Sequence, residues 1–454
     1  MTRWIRLPED HPDLTIATIG LLFALAYGAS LVWLAKPGGR IVFGDALHHY
    51  VQLRSVVFDH DLRFTNEYVR MYGITASDAA DPDLRWITDT NAGGYIRNLM
   101  PVGPAIVWAP GFLAVTGAIR VADTLGASYP FDGYGRLFQA SAAYSGIAAA
   151  VAGVWLAFLT ARFLFRPRAA IWATLAIWLA GSAVYYTVIS PTYSHAASML
   201  AVGAFWYVWI RTRDRQDVAR YAWVGTFAGI AALMRWQDAV LLIVPAIDAV
   251  WHRERGLIRV VTNVIVATAC AVVAFTPQLY VWHTLYGHVL VIPQGGGFMR
   301  WGAPALWPVL FSDNHGLLTW TPVIALAIVG LVPLTRRAPL VGVAAIAFLV
   351  ISWYVNAAVA DWWAGEAFGA RRFVGCYPVF VLATAALFER LEQQPVLVAG
   401  IATAFTAYTF LLLVQYQTFM HGLRTVAPYP RGFWGLWLAR FVVPFEIAKR
   451  WLHL

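Results

Sequence analysis

Asp45 sits where a carboxylate can act on a membrane-bound substrate. It lies in Gly44-Asp45-Ala46-Leu47-His48-His49-Tyr50, shortly after the uncharged stretch 14–34 and the exit sequence Lys36-Pro37-Gly38-Gly39. A carboxylate within hydrogen-bond reach of a hydroxyl can take its proton as the oxygen attacks an electrophile. The same oxygen can instead cap the helix that follows, and spacing leaves both uses open. A second cluster, Asp361-Trp362-Trp363-Ala364-Gly365-Glu366-Ala367-Phe368-Gly369-Ala370-Arg371-Arg372, puts two adjacent arginines at the start of an apolar stretch, beside glycines that permit close approach. Forked guanidinium donors suit a phosphate oxyanion; anchoring to lipid headgroups is the alternative use.

Further polar residues sit at membrane depth or in the first loop. His195 follows Ser194 near the start of the apolar stretch 191–210, and an ionisable group there is a site candidate or a partner for a neighbouring loop. Arg235-Trp236-Gln237-Asp238 interrupts the apolar stretch 221–251; Arg235 either holds a phosphate or pairs with Asp238. Asp59 and Asp61, in Phe58-Asp59-His60-Asp61-Leu62, suit a turn or a cap. Glu67, in Asn66-Glu67-Tyr68, lines an acceptor path or a solvated loop. Tyr50 joins these three as an acceptor-side or loop candidate.

The elements that must position these residues are membrane helices. The chain has 454 residues, 60% hydrophobic and only 13% charged, and several uncharged stretches reach membrane length. That composition describes an all-α, polytopic membrane protein, because backbone groups in lipid must bond within their own segment. Uncharged spans run over 14–34, 140–161, 169–189, 191–210, 260–282, 316–334, 339–355, 373–388 and 395–416. With 221–251 counted as two short helices, the expectation is about 11 membrane helices. The stretch 14–34 is too long for a signal-peptide core. The tail 433–454 reads as an interfacial helix interrupted at Pro444. Two units are expected: a catalytic module over 1–335, with outer loops 36–99 and 283–315, and C-terminal helices with the tail over 336–454.

The net charge of +9 is almost all arginine in short loops, which sets topology and contacts anionic lipid rather than nucleic acid. If 101–119 dips into the outer leaflet and 221–251 is a hairpin, then Arg3 and Arg6, Arg162 to Arg168, Arg211 to Arg220, Arg253 to Arg259 and Arg336 with Arg337 all face the cytoplasm. If both segments cross, seven of those arginines move outside. The first arrangement is preferred. It gathers the loops carrying Asp45, His195 and Arg371 on the outer face, where an arginine pair suggests an anionic ligand. Cys270 and Cys376 form no disulfide or metal pattern. Pro293-Gln294-Gly295-Gly296-Gly297 lacks the Lys-Ser/Thr of a nucleotide cradle and reads as a flexible lid. No metal site or cofactor is expected.

At these residues the chain resembles the GT-C superfamily of polyprenyl-phosphate-sugar glycosyltransferases, the group that includes protein O-mannosyltransferases and bacterial lipid A aminoarabinose transferases. Gly44-Asp45…Tyr50 resembles the acidic start of the first outer loop. Asn98…Pro101-Val102-Gly103-Pro104…Trp108 is similar to the proline-rich interfacial stretch before the second span. Ser312…His315-Gly316-Leu317…Pro322 and Phe368-Gly369-Ala370-Arg371-Arg372 resemble patterns in bacterial members. The resemblance implies a GT-C-like helical bundle with interfacial helices in a long first outer loop. It implies Asp45 as catalytic base and an inverting transfer, often metal-free, from a polyprenyl-phosphate-linked sugar. Arg371, Arg372, His195 and Arg235 are then expected to hold the donor phosphate. A hydroxyl on a glycan, lipid or protein accepts the sugar, at the outer face of a bacterial cytoplasmic (inner) membrane. His195 stands where metal-dependent members carry an acidic pair, and acceptor choice does not carry over. Two other readings stay open: a polyprenyl-lipid flippase or transporter without chemistry, and an O-antigen-ligase-like transferase using Arg and His.

Overall fold

The computed structural model describes residues 8–33, 40–73, 89–91, 93–418 and 432–452; Arg3, Arg6 and the exit sequence 36–39 lie outside them. Helices dominate the described residues, and the β-pairs present are the isolated bridges Thr90–Ile96 and Met299–Val359. Helix α1 (Pro12–Trp33) leads to the first-loop helices α2 (Asp45–Arg54) and α3 (Thr65–Tyr72), then to α4 (Gly103–Thr124) and α5 (Arg136–Arg162). There follow α6 (Pro167–Ala180), α7 (Ser194–Arg211), α8 (Val218–Met234), α9 (Ile243–Trp251) and α10 (Leu257–Tyr286). The chain closes with α11 (Ile324–Arg337), α12 (Pro339–Ala357), α13 (Tyr377–Arg390), α14 (Pro395–Gln417) and α15 (Gly432–Leu452).

Among the described residues seven helices are long and apolar enough to cross a membrane, fewer than the expected 11 or so. Two expected spans break. Residues 169–189 divide into α6 and a short helix Ala183–Val188, because the backbone is extended at Gly181. Residues 316–334 divide into Leu317–Trp320 and α11; Pro322 lies between them and has no N–H to continue a ladder. The tail also differs from expectation. Helix α15 continues through Pro444 and buries Leu436, Ala439, Arg440 and Val443, a stripe at helical spacing. Trp437 Nε1 donates to the Thr319 carbonyl at 3.1 Å, and the Arg440 guanidinium lies 4.1 Å from the Tyr408 ring centroid. The tail is therefore packed on the bundle.

Helix directions follow from contacts. Trp155 Nε1 donates to Asp13 at 2.7 Å, and Arg136 Nη2 donates to the Leu31 carbonyl at 2.6 Å, so α5 runs antiparallel to α1. Helix α4 starts beside the backbone of Leu233 and Met234, while Phe112 already meets Phe138 near the start of α5 at 5.3 Å. By length α4 could cross a membrane; by packing it covers the Arg136 half of α5. The stretch 221–251 doubles back: Arg220 in α8 pairs with Asp248 in α9 at 2.5 Å, both side chains at most 1% exposed. Trp209 Nε1 donates to the same carboxylate at 2.6 Å.

The arginine clusters share one end of the bundle. The rings of Phe163 and Tyr207 lie 5.6 Å apart, and one cavity is lined by Phe163, Trp209, Arg213, Trp251 and Arg337. Arg168 pairs with Glu9 at 2.7 Å at this end. One apolar core runs from Ile16 to Leu436 and passes through both Leu334 and Val341. A second core, with Tyr50, Tyr68, Trp108, Phe112 and Phe138, joins the first loop to α4 and α5.

The hairpin gives the first prediction. Removing one partner of a buried ion pair strands the other charge and costs about 3–5 kcal/mol. Asp248→Ala should lower the thermal unfolding midpoint in detergent well below that of an exposed control such as Asp214→Ala. Equal midpoints for the two variants would show that the Arg220–Asp248 pair does not hold the hairpin shut.

Candidate active site

Helix α2 begins at Gly44, whose φ of 57° and ψ of −139° suit glycine and whose side-chain-free Cα makes room for Tyr193. A Cβ there would stand 2.8 Å from the Tyr193 hydroxyl. Gly44 is thus the residue before the helix, and no side chain caps α2; the capping alternative for Asp45 falls away. Asp45 Oδ2 instead meets Arg371 Nη1 at 2.8 Å, with the carboxylate 36% exposed and the guanidinium 14% exposed. The ion pair joins the head of the first loop to the segment entering α13. The Arg371 guanidinium also lies over the Tyr193 ring, 5.5 Å from its centroid.

Burial alone would raise the Asp45 carboxyl. The Arg371 charge, followed by smaller effects of His48, His49 and Arg372, outweighs it and holds the group below its ordinary value. His48 and His49 are themselves pushed down to about 4 by burial, so near neutrality they are uncharged and the arginines carry the effect. The result is an ionised carboxylate, open to solvent on one side and touching a cation on the other.

The neighbours of this pair sort the expected residues. Arg372 turns away from Asp45: it donates to the Asp361 carbonyl at 2.6 Å and pairs with the Asp361 carboxylate at 2.8 Å. Arg235 does not take the alternative pairing with Asp238. Its Nη1 donates to His195 Nδ1 and reaches the Arg371 carbonyl at 3.5 Å, while Asp238 accepts from Ser198 Oγ at 2.6 Å. An arginine can only donate, so His195 Nδ1 accepts and the imidazole carries its proton on Nε2. His195 is buried between the tilted ring of Tyr186, 4.3 Å away, and the parallel ring of Tyr193, 6.3 Å away. His195, Arg235 and Arg371 therefore form one contiguous group behind Asp45.

The acceptor-side candidates go elsewhere. Arg54 binds both Asp59 and Glu67, the latter at 3.0 Å, and its Nε donates to the Asp132 carbonyl at 3.0 Å. Burial pushes Glu67 up to about 7 despite the hydrogen bond from Arg54. Asp61 accepts from Ser55 Oγ at 2.8 Å and from the Arg63 amide at 2.9 Å, and Tyr50 donates to the Gly133 carbonyl at 2.6 Å. In this structure all four brace the folded first loop. Sequence reading passed over His49 and Tyr193. His49 lies one turn beyond Asp45, on the same helix face. It donates from Nδ1 to the Pro101 carbonyl at 2.8 Å, and Nε2 reaches no partner in the protein. The four-residue spacing was a usable signal; for Tyr193 there was none. Among the described residues no three His, Cys, Asp or Glu side chains gather as a metal site would require.

The electrostatics can be checked directly. In Arg371→Gln the charge that outweighs burial is gone, so Asp45 should take up its proton at higher pH. Infrared difference spectra between pH 7 and pH 4, with labelled aspartate, should show a protonating carboxyl in Arg371→Gln that is missing in wild type and in the double variant with Asp45→Asn. Superimposable wild-type and Arg371→Gln spectra would mean the ion pair does not set the ionisation of Asp45.

No family model matches the chain, and no curated protein matches it in sequence. Two solved structures are similar to it over most of its length. One is ArnT from Cupriavidus metallidurans in the apo state, with 13% identity, a TM-score of 0.45, and 94% of this chain and 72% of that one covered. The other is the archaeal oligosaccharyltransferase AglB from Archaeoglobus fulgidus, in complex with an inhibitory peptide and a dolichol-phosphate. There identity is 11%, the TM-score is 0.47, and 93% of this chain spans 61% of that one.

Proposed function

We propose that the protein is an inverting glycosyltransferase that moves a sugar from a polyprenyl-phosphate donor to a hydroxyl acceptor. The observation that carries this reading is the Asp45–Arg371 pair, an ionised, partly exposed carboxylate against a buried-side cation. That is the pairing that proton removal and phosphate departure require at one reaction centre. The acceptor oxygen attacks the anomeric carbon from the face opposite the phosphate. The bond from that carbon to the phosphate oxygen breaks, and its electron pair leaves with the lipid phosphate. The acceptor proton passes to an Asp45 carboxylate oxygen. Charge grows on the departing phosphate, so a fixed guanidinium stabilises the transition state more than the ground state.

The pair also has the right response to a donor. A phosphate that takes the Arg371 fork shares the charge that depresses Asp45, and the carboxylate becomes a better base when the substrate is in place. Arg235 donates to the Arg371 carbonyl and so holds that guanidinium's backbone in position, with His195 behind it. Arg372 adds positive field from its place on Asp361. In this reading the arginine-rich end of the bundle faces the cytoplasm of a bacterial inner membrane. The site opens to the outer face, among membrane lipids, and the acceptor is a glycan, lipid or protein hydroxyl.

Asp45→Asn tests the chemistry. It should reduce transfer by about 10²–10⁴-fold while donor binding stays within about threefold. Full turnover by Asp45→Asn with purified donor and acceptor would remove the base. If lipid translocation in vesicles also continued, the transporter reading would take its place.

Orientation needs its own measurement. Ser128 and Asp214 are both exposed, near the Arg136 end and the arginine-rich end respectively. In a background without Cys270 and Cys376, Ser128→Cys should react with a membrane-impermeant thiol reagent in intact cells. Asp214→Cys should react only after permeabilisation. The reverse pattern would invert the proposed topology.

A further inference from the structure

The mechanism gives no task to His315, and the fold goes to some length to place it. His315 is 2% exposed, and neither ring nitrogen reaches a hydrogen-bond partner in the protein at ordinary geometry. Its backbone is left-handed, with φ 64°, a conformation that persists in a residue with a side chain where the surroundings over-determine it. They do so here. The Gly316 amide donates to the Ser312 carbonyl at 3.0 Å, Thr319 Oγ1 to the Phe311 carbonyl at 2.8 Å, and Trp320 Nε1 to the Asp313 carbonyl at 2.8 Å. The Trp320 ring lies 4.5 Å from the imidazole and 5.9 Å from Phe368. Trp320 also packs beside Gly369, whose carbonyl accepts from the Arg371 amide at 2.8 Å. The charge of Arg371 is felt at the His315 ring. A braced loop thus holds a buried imidazole beside the segment that carries Arg371.

We infer that His315 reads a hydroxyl of the transferred sugar while the donor phosphate rests on Arg371. The inference builds on the glycosyltransferase reading above and assigns one contact within it. A buried imidazole near an arginine is neutral, with one N–H and one lone pair. Whichever ring nitrogen carries the hydrogen, the other presents a lone pair. A lone pair matches the O–H of a sugar. It does not match a phosphodiester, which offers acceptors alone. Buried polar groups are almost always satisfied, and a sugar hydroxyl satisfies this one. The residue would thereby favour donors that carry a hydroxyl at the facing position, since a site built to bond a hydroxyl discriminates against the analogue lacking it.

Binding separates this role from phosphate binding. The full chain in nanodiscs is titrated with undecaprenyl phosphate and with undecaprenyl phosphate carrying mannose, glucose, galactose or arabinose, and the tightest sugar-bearing probe is kept. His315→Phe should weaken that probe by about tenfold and leave sugar-free undecaprenyl phosphate unchanged. His315→Gln, with an amide oxygen to accept, should recover part of the loss. Arg371→Ala should weaken both ligands. If His315→Phe weakens both ligands alike, or neither, the sugar contact is wrong although the glycosyltransferase reading stands. If wild type binds neither, that reading falls and this one with it. Should His315→Phe fail to fold, monodeoxy donors on the wild type make the same test. One of them should lose about tenfold, and equal binding by all of them overturns the assignment.

Discussion

The ion pair between Asp45 and Arg371 is the contact on which the rest of the site depends. It ties the head of the first loop to the segment entering α13, and it holds the Asp45 carboxyl ionised. A pair of this kind contributes little to stability, because desolvating two charges offsets most of their attraction. Its consequence is electrostatic. Arg371 keeps the Asp45 carboxyl ionised, and in the proposed reading a donor phosphate would share that guanidinium. Asp45 remains 36% exposed, which leaves one face of the carboxylate open to solvent.

The scaffold around the pair explains why it is held so closely. Gly44 allows the Tyr193 hydroxyl to approach the start of α2, and Tyr193 then lies under Arg371. Arg235 fixes the Arg371 carbonyl and the His195 imidazole together, which turns three residues distant in sequence into one wall. Further out, Arg54 gathers Asp59, Glu67 and the Asp132 carbonyl. That cluster ties the far side of the loop together while the second core packs the loop on α4 and α5.

Much of this was legible before the structure. Charges are scarce in the chain, so an acid after the first apolar stretch and an arginine pair before a late one stood out, and the two prove to be in contact. Which arginine makes the contact was not legible. Arg371 and Arg372 are adjacent and alike, and the choice depends on Asp361, which captures Arg372. Arg235 looked suited to Asp238 by spacing, yet a 3₁₀ turn from Trp236 to Leu242 leaves its side chain aimed at His195. Asp59, Asp61, Glu67 and Tyr50 read as loop or acceptor residues because the sequence does not show that Arg54 and backbone groups bind them. The breaks at Gly181 and near Pro322, and the packing of α15 through Pro444, follow from tertiary contacts that periodicity does not reveal.

The most direct test of the central claim is where a lipid phosphate binds. A density map of the protein in nanodiscs with undecaprenyl phosphate should place the phosphate on the Arg371 guanidinium, with the Asp45 carboxylate parted from it and turned towards the open side. A phosphate seated instead in the cavity of Arg213 and Arg337, with the Asp45–Arg371 pair intact, would contradict the account.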